Sequence, residues 1–169
     1  MSGPVCVLVG APGAGKSTVG ALLAEALGVA LRDTDADIEA TAGKPISDIF
    51  VDDGEAHFRA LERSAVAAAL RTHGGVLALG GGAILAEETR AALRGHTVVY
   101  LQVGLAEAVS RVGLGVGRPL LMVNPRATLR YLLDQRRPLY EEVATIVVDT
   151  DGRKPEDIVA GIMTWLAGR

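Results

Sequence analysis

Nine consecutive residues, Gly10-Ala11-Pro12-Gly13-Ala14-Gly15-Lys16-Ser17-Thr18, have the types and spacing to hold a phosphate. They match G-x-x-x-x-G-K-[S/T], follow the apolar run Val5-Cys6-Val7-Leu8-Val9 and open a helical pattern, the context that a phosphate loop requires. Glycines let backbone N–H groups converge on phosphate oxygens without Cβ clashes, and the following helix turns its positive dipole end to the same point. The pattern predicts nucleotide contacts from Gly13, Ala14, Gly15, Lys16, Ser17 and Thr18. The Lys16 ammonium should reach the β- and γ-phosphates and the Ser17 hydroxyl should sit on Mg2+. A plain Gly-rich turn would not need every anchor position filled.

Two carboxylates come next. Asp33 and Asp35 stand at the end of a short strand pattern, and on extended backbone residues two apart project to the same side. Such a pair can hold a metal through water, or bind a substrate hydroxyl and take its proton. Asp35 also precedes a helical pattern, where it would serve as an N-cap. Arg136 lies at i+7 from Leu129, on the apolar stripe of Leu129, Leu132 and Leu133. An inward guanidinium cannot shed its charge and needs an anion, either a protein carboxylate or a ligand carboxylate or phosphate held bidentately. Arg59 has Glu62 at i+3, which offers an ordinary surface pair. Arg118, in the Gly-rich stretch Gly113-Leu114-Gly115-Val116-Gly117-Arg118-Pro119, reads as a clamp that closes over ATP. Gly80-Gly81-Gly82 either brings backbone N–H donors close to a ligand or makes a tight turn out of a strand. His57, His73 and His96 show no metal-ligand spacing and read as surface or structural; the aromatics, Tyr140 among them, read as core packing.

These residues need elements to position them. Val19, Leu22, Leu23, Ala26 and Leu27 form one apolar helix face, ended by Gly28. A short strand over about 30–33 leads into a helix that Gly43-Lys44-Pro45 breaks, and Ser47 could cap the next, around 48–51. Asp52-Asp53-Gly54 signals a turn before a longer helix over 55–72. Strands are expected at 76–79, 97–101 and 145–149, and helices at 87–93, 105–112, 126–143 and 155–166. Five short apolar strands alternating with helices predict an α/β fold, three-layer αβα, with a central five-stranded parallel sheet covered on both faces. Ligands then collect beyond the carboxyl ends of the strands, so the phosphate loop, Asp33/Asp35 and the Gly triplet should face one crevice.

The 169 residues suit a single domain, 1–169, and 49% are hydrophobic. A net charge of −3 gives no broad basic field and argues against nucleic acid as the main partner. No apolar run is long enough to span a membrane, no signal-like segment precedes the first strand, and the single cysteine, Cys6, sits mid-strand as a small buried hydrophobe. A cytoplasmic monomer is the expectation.

Taken together, the residues resemble the shikimate kinases, in the nucleoside-monophosphate-kinase-like group of P-loop enzymes. The resemblance covers nearly the whole chain. It rests on the phosphate loop, Asp33-Thr34-Asp35, Gly43-Lys44-Pro45-Ile46-Ser47-Asp48-Ile49-Phe50, Gly54-Glu55 with Phe58-Arg59 and Glu62, and Gly80-Gly81-Gly82. Arg118-Pro119-Leu120-Leu121 and Arg136-Arg137-Pro138-Leu139-Tyr140 complete it in order and spacing. The resemblance implies ATP-dependent phosphorylation of the shikimate 3-hydroxyl on the way to chorismate and the aromatic amino acids, with Mg2+. By it, Asp35 would bind the ring hydroxyls and act as base, and Arg59 and Arg136 would clamp the carboxylate, helped by the Gly80–Gly82 backbone. Asp33 would support Mg2+ beside Ser17, Lys16 and Arg118 would stabilise the transferring phosphoryl group, and Arg111 and Arg153 would line the adenine site. The segment from about 33 to 61 would bind substrate and that from about 113 to 124 would form a mobile lid. One departure stands out: Ala78-Leu79 offers neither the acidic residue nor the hydroxyl that related enzymes place before the third-strand loop. Two rival readings remain, a gluconate kinase of the same group, for which the Gly triplet with an Arg pair is not expected, and a nucleotide-binding regulator without turnover.

Overall fold

The computed structural model describes residues 3–112 and 125–169. Within them the strands are β1 (Cys6–Val9), β2 (Leu31–Asp33), β3 (Val76–Ala78), β4 (Val98–Gln102) and β5 (Ile146–Asp149). The helices are α1 (Lys16–Leu27), α2 (Thr34–Ala42), α3 (Ile46–Asp53), α4 (Glu55–Thr72), α5 (Glu87–Ala92), α6 (Leu105–Val112), α7 (Pro125–Val143) and α8 (Pro155–Ala167). The strands pair in parallel in the order β2-β3-β1-β4-β5. Burial explains the apolar runs: β1 and β3 are fully enclosed, whereas the edge strand β5 alternates between half-buried and exposed residues. Helices α1 and α8 pack together over one face, and α4, α5 and α7 cover the other.

The chain order reverses beside β1, whose neighbours β3 and β4 lead to opposite edges of the sheet. A crevice opens at the carboxyl ends of such strands. The register puts Asp33 level with Ala78, and Ala78 level with Leu8, so β2 ends within two strands of the loop that leaves β1. Helices α2, α3 and α4 carry a small core of their own, Ile38, Ile49 and Phe58, with Phe50 and Phe58 ring centroids 4.9 Å apart. That satellite core holds the first turns of α4, and with them Arg59.

Some local expectations change. Asp33, not Asp35, caps α2: its Oδ1 accepts from the Asp35 amide at 2.8 Å. Helix geometry therefore begins at Thr34, and the extended-strand argument for the two carboxylates does not apply. Ser47 does not cap α3, which starts at Ile46 after Pro45; the Glu39 carboxylate accepts from the Ile46 amide at 2.9 Å instead. Asp52 and Asp53 belong to α3, and Gly54 alone, at φ 88°, turns the chain into α4. A short 3-10 turn, Ala83–Leu85, follows the Gly triplet and has no counterpart in the sequence reading.

The entry to β3 offers a stability prediction. A Cβ on Gly75 would overlap the Ala30 carbonyl oxygen, a backbone atom that cannot swing away, whereas one on Gly74 would meet nothing within 4 Å. Gly75→Ala is expected to cost about 1–3 kcal/mol, which lowers Tm by roughly 3–10 °C in a domain of this size. Gly74→Ala should leave Tm nearly unchanged, and calorimetry on the two variants checks the contrast.

Candidate active site

The phosphate loop leaves β1 at Gly10, where a Cβ would lie 2.6 Å from the Leu101 carbonyl oxygen; only glycine lets the loop pass β4 this closely. Gly13 and Gly15 have φ of 84° and 92°, left-handed values that spare a side chain's strain. Among the described residues no side chain caps α1 and none in its first turn is acidic, so its amides and positive dipole end are left for an anion. The Ala14 amide is an exception, since it donates to the Ala11 carbonyl at 3.1 Å and shapes the turn. Lys16 Nζ donates to the carbonyls of Gly10 at 2.6 Å and Ala11 at 3.2 Å, so the ammonium is folded over the loop itself.

A cleft of about 340 Å3 opens beside the loop, and Lys16, Ser17, Asp33, Asp35, Gly80 and Gly81 all line it. The expected convergence of loop, carboxylates and triplet at one crevice is therefore present. The small side chain of Ala78 at the end of β3 leaves this cleft open between the loop and Asp33. Asp35 is the electrostatic centre. Its Oδ1 is buried with no hydrogen-bond partner among the described residues. Burial, then the neighbouring Asp33 and Glu62 carboxylates, push its carboxyl up from an ordinary 3.8 to about 6, against the pull of Lys16. A carboxylate of that kind accepts a proton readily.

On the far side of the triplet, Arg136 is buried as its stripe position predicts, with 5% of its surface exposed. Arg59 donates to Glu62 at 2.8 Å, and its guanidinium occupies the space that a Cβ on Gly82 would need. Glu62 is not the surface partner that the i+3 spacing implied: it is 3% exposed, and burial raises its carboxyl above the ordinary range against the pull of Arg59 and Arg136. The same stripe logic that singles out Arg136 also applies to Glu62, which falls on the line of Phe58, Val66 and Ala69. Tyr140, first read as core packing, is buried, and its hydroxyl donates to the Gly81 carbonyl at 2.5 Å.

Arg111 ties the phosphate loop to the end of β5. It donates to the Gly13 carbonyl at 3.1 Å and the Thr150 carbonyl at 3.1 Å, and pairs with Glu107. Arg153 donates to the Asp149 carbonyl at 3.1 Å, and both arginines line a smaller cleft of about 210 Å3 with Thr18, Pro155 and Ile158. Arg118 and the expected lid lie outside the described residues. His73 Nε2 sits 3.0 Å from the Val76 carbonyl in a structural role, and among the described residues no His/Cys/Asp/Glu group has the makings of a metal cluster. Burial pushes the Cys6 thiol up to about 11, as suits an inert core residue.

The family model described as shikimate kinase matches residues 12–167. The chain belongs to the shikimate kinase family. A shikimate kinase of Salinispora arenicola is 71% identical over 164 residues, 97% of this chain and 98% of that protein. A solved structure of a shikimate kinase from Acinetobacter baumannii in complex with shikimate superposes with a TM-score of 0.94 at 38% identity, covering 99% of this chain and 94% of that one. A gluconokinase from Sinorhizobium meliloti, at TM-score 0.56 and 23% identity over 96% of this chain and 90% of that one, shares the fold alone. The chain is a kinase of the α/β P-loop type, and among the described residues no helix is long and apolar enough to cross a membrane.

Proposed function

We propose that this chain transfers the γ-phosphoryl group of ATP to the 3-hydroxyl of shikimate, giving shikimate 3-phosphate and ADP as a step toward chorismate. The observation that carries the reading is Asp35, a half-buried carboxylate with an oxygen that has no partner among the described residues, in the same cleft as the phosphate loop. The acceptor's ring hydroxyls satisfy that oxygen, and Asp35 takes the proton of the attacking hydroxyl as the new P–O bond forms. Arg59 and Arg136 hold the acceptor carboxylate beside Gly81 and Gly82, which supplies the anion that an inward guanidinium requires. Lys16 exchanges the Gly10 and Ala11 carbonyls for the β- and γ-phosphates, where it offsets charge on the transferring group. The loop amides from Gly13 to Thr18, with Ala14 shaping the turn, cradle the phosphates, and Arg111 and Arg153 flank the adenine in the smaller cleft. Arg118 completes the phosphate clamp from the lid over 113–124.

The donors in the cleft fit Mg2+. The Ser17 hydroxyl and the Asp33 carboxylate are hard oxygen ligands, and Mg2+ usually takes one or two such groups plus phosphates and water. Held by Ser17 and, through water, Asp33, the ion would neutralise charge on the phosphate oxygens. The reading places both substrates on one domain, 1–169, working as a cytoplasmic monomer without nucleic acid.

ADP release with Mg-ATP against shikimate, gluconate, nucleoside monophosphates and no acceptor tests the reading. Turnover with shikimate alone supports it; turnover with another acceptor retains the phosphate site and overturns the acceptor; ATP binding without turnover favours a regulator. Arg136→Ala is expected to raise the KM for shikimate on the order of 100-fold, as loss of a buried charged partner costs 2 kcal/mol or more. The KM for ATP should stay within about twofold. Equal loss of both would remove Arg136 from the carboxylate clamp.

A further inference from the structure

The Gly triplet's three carbonyls all have donors. Ala83 N–H serves Gly80 at 3.1 Å and Leu85 N–H serves Gly82 at 3.1 Å, both local bonds of the 3-10 turn. Gly81 is different: its carbonyl is held by the Tyr140 hydroxyl, which reaches from α7, 59 residues further along the chain. On the opposite side, the Gly80 amide donates to Thr34 Oγ1 at 3.3 Å, from a residue that is fully buried at the head of α2. A trans peptide unit is planar, so fixing a carbonyl also fixes the amide across it, which points the other way. The bond to Gly81 therefore sets the direction of the Gly82 amide. Glycine has no side chain to limit its backbone, so an external anchor matters more here than elsewhere.

Tyr140 reaches a second group. It lies one turn beyond Arg136 on α7, at i+4, where the Arg136 guanidinium charge counters the rise that burial gives the same hydroxyl's pKa. The phenol thus donates to Gly81 with the Arg136 charge close by, setting the buried arginine and the triplet on either side of one hydroxyl. The ring is locked in turn: it stacks on Tyr100 with centroids 5.0 Å apart and planes 27° apart, and only 1% of the residue is exposed.

We propose that Tyr140 is a positioning residue for the acceptor carboxylate, setting the Arg136 guanidinium and the Gly81–Gly82 peptide in a single geometry. The proposal rests on the acceptor reading above. Its test is Tyr140→Phe, which keeps the stacked ring and removes only the hydroxyl. The control is Tyr100→Phe, which removes the other hydroxyl of the stack without touching Gly81 or Arg136. Tyr140→Phe is expected to raise the KM for shikimate roughly tenfold, with the KM for ATP within about twofold and kcat falling less than the KM rises. Tyr100→Phe should leave both KM values as they are. The double variant Tyr140→Phe/Arg136→Lys should lose less than the sum of the two single variants, because both act on one contact.

Some outcomes overturn the proposal. A lowered Tm in Tyr140→Phe with an unchanged KM for shikimate reduces the hydroxyl to a packing role and overturns this inference alone. Equal rises in the KM for shikimate and for ATP do the same, since they report a general loosening of the site. A wild-type chain inert toward shikimate overturns the acceptor reading and this inference with it.

Discussion

Asp35→Asn is expected to lower kcat with shikimate by at least about 10³-fold, within the range that general-base groups contribute, while making the folded protein more stable at neutral pH. Both effects come from one environment. Burial, Asp33 and Glu62 hold the folded Asp35 carboxyl at about 6, against an ordinary 3.8. With its folded pKa above its unfolded one, the native state binds more protons between those two values. The contribution of Asp35 to stability is therefore fullest below about pH 4 and is lost as pH rises through 6, up to roughly 3 kcal/mol by pH 7. A neutral Asn avoids that cost. Its Tm should exceed the wild type's by several degrees at pH 7.5 and match it near pH 4. The wild-type kcat/KM should fall below about pH 6 as the base becomes protonated, with the midpoint displaced by whatever charge the bound substrates bring. Calorimetry at the two pH values and a pH–rate profile measure these quantities. An Asn variant that keeps kcat within tenfold would remove Asp35 from the reaction, and a variant no more stable at pH 7.5 would remove the electrostatic strain.

The parts of this architecture that are local chemistry were legible from the residues. The phosphate loop is a continuous stretch whose glycines, lysine and hydroxyl serve the same ligand, and its strand and helix follow directly from apolar patterning. Arg136 was legible because a charge on a leucine stripe contradicts its surroundings, and it is buried where that contradiction placed it. Glu62 obeyed the same rule and was passed over, because Arg59 at i−3 supplied a surface explanation that needed no burial. The boundary between β2 and α2 depended on which aspartate's side chain met which amide. Asp33 won that contest by capping the Asp35 amide, a difference of one hydrogen bond that composition does not encode. Tyr140 was least legible of all. Its acceptor is a backbone carbonyl 59 residues away, so the contact exists only once the Gly triplet and α7 are side by side. The general lesson lies in what specifies each part: residues that bind a ligand through their own backbone can be read from sequence, whereas residues that position other residues require the fold.

Lys16→Ala is expected to reduce turnover by at least about 10³-fold, comparable to the loss of a preorganised donor aimed at a transition-state charge. The folded state should change little, because the ammonium's bonds to the Gly10 and Ala11 carbonyls lie within its own loop. ATP affinity should fall more than ADP affinity, since the lost charge faces the γ-phosphate as well as the β, and titration with the two nucleotides measures the difference. Lys16→Arg should not restore the rate: a planar fork cannot replace a compact point charge at the mouth of a closely wound glycine loop. The substitution reaches the base as well. Lys16 is the cation that pulls the Asp35 carboxyl downward, so its removal should move the acid limb of the residual pH–rate profile to higher pH. A profile that keeps its wild-type midpoint while turnover collapses would mean that the ammonium acts on the phosphates without reaching Asp35. A midpoint that rises would show one lysine setting both the charge of the donor phosphate and the basicity of the group that receives the proton.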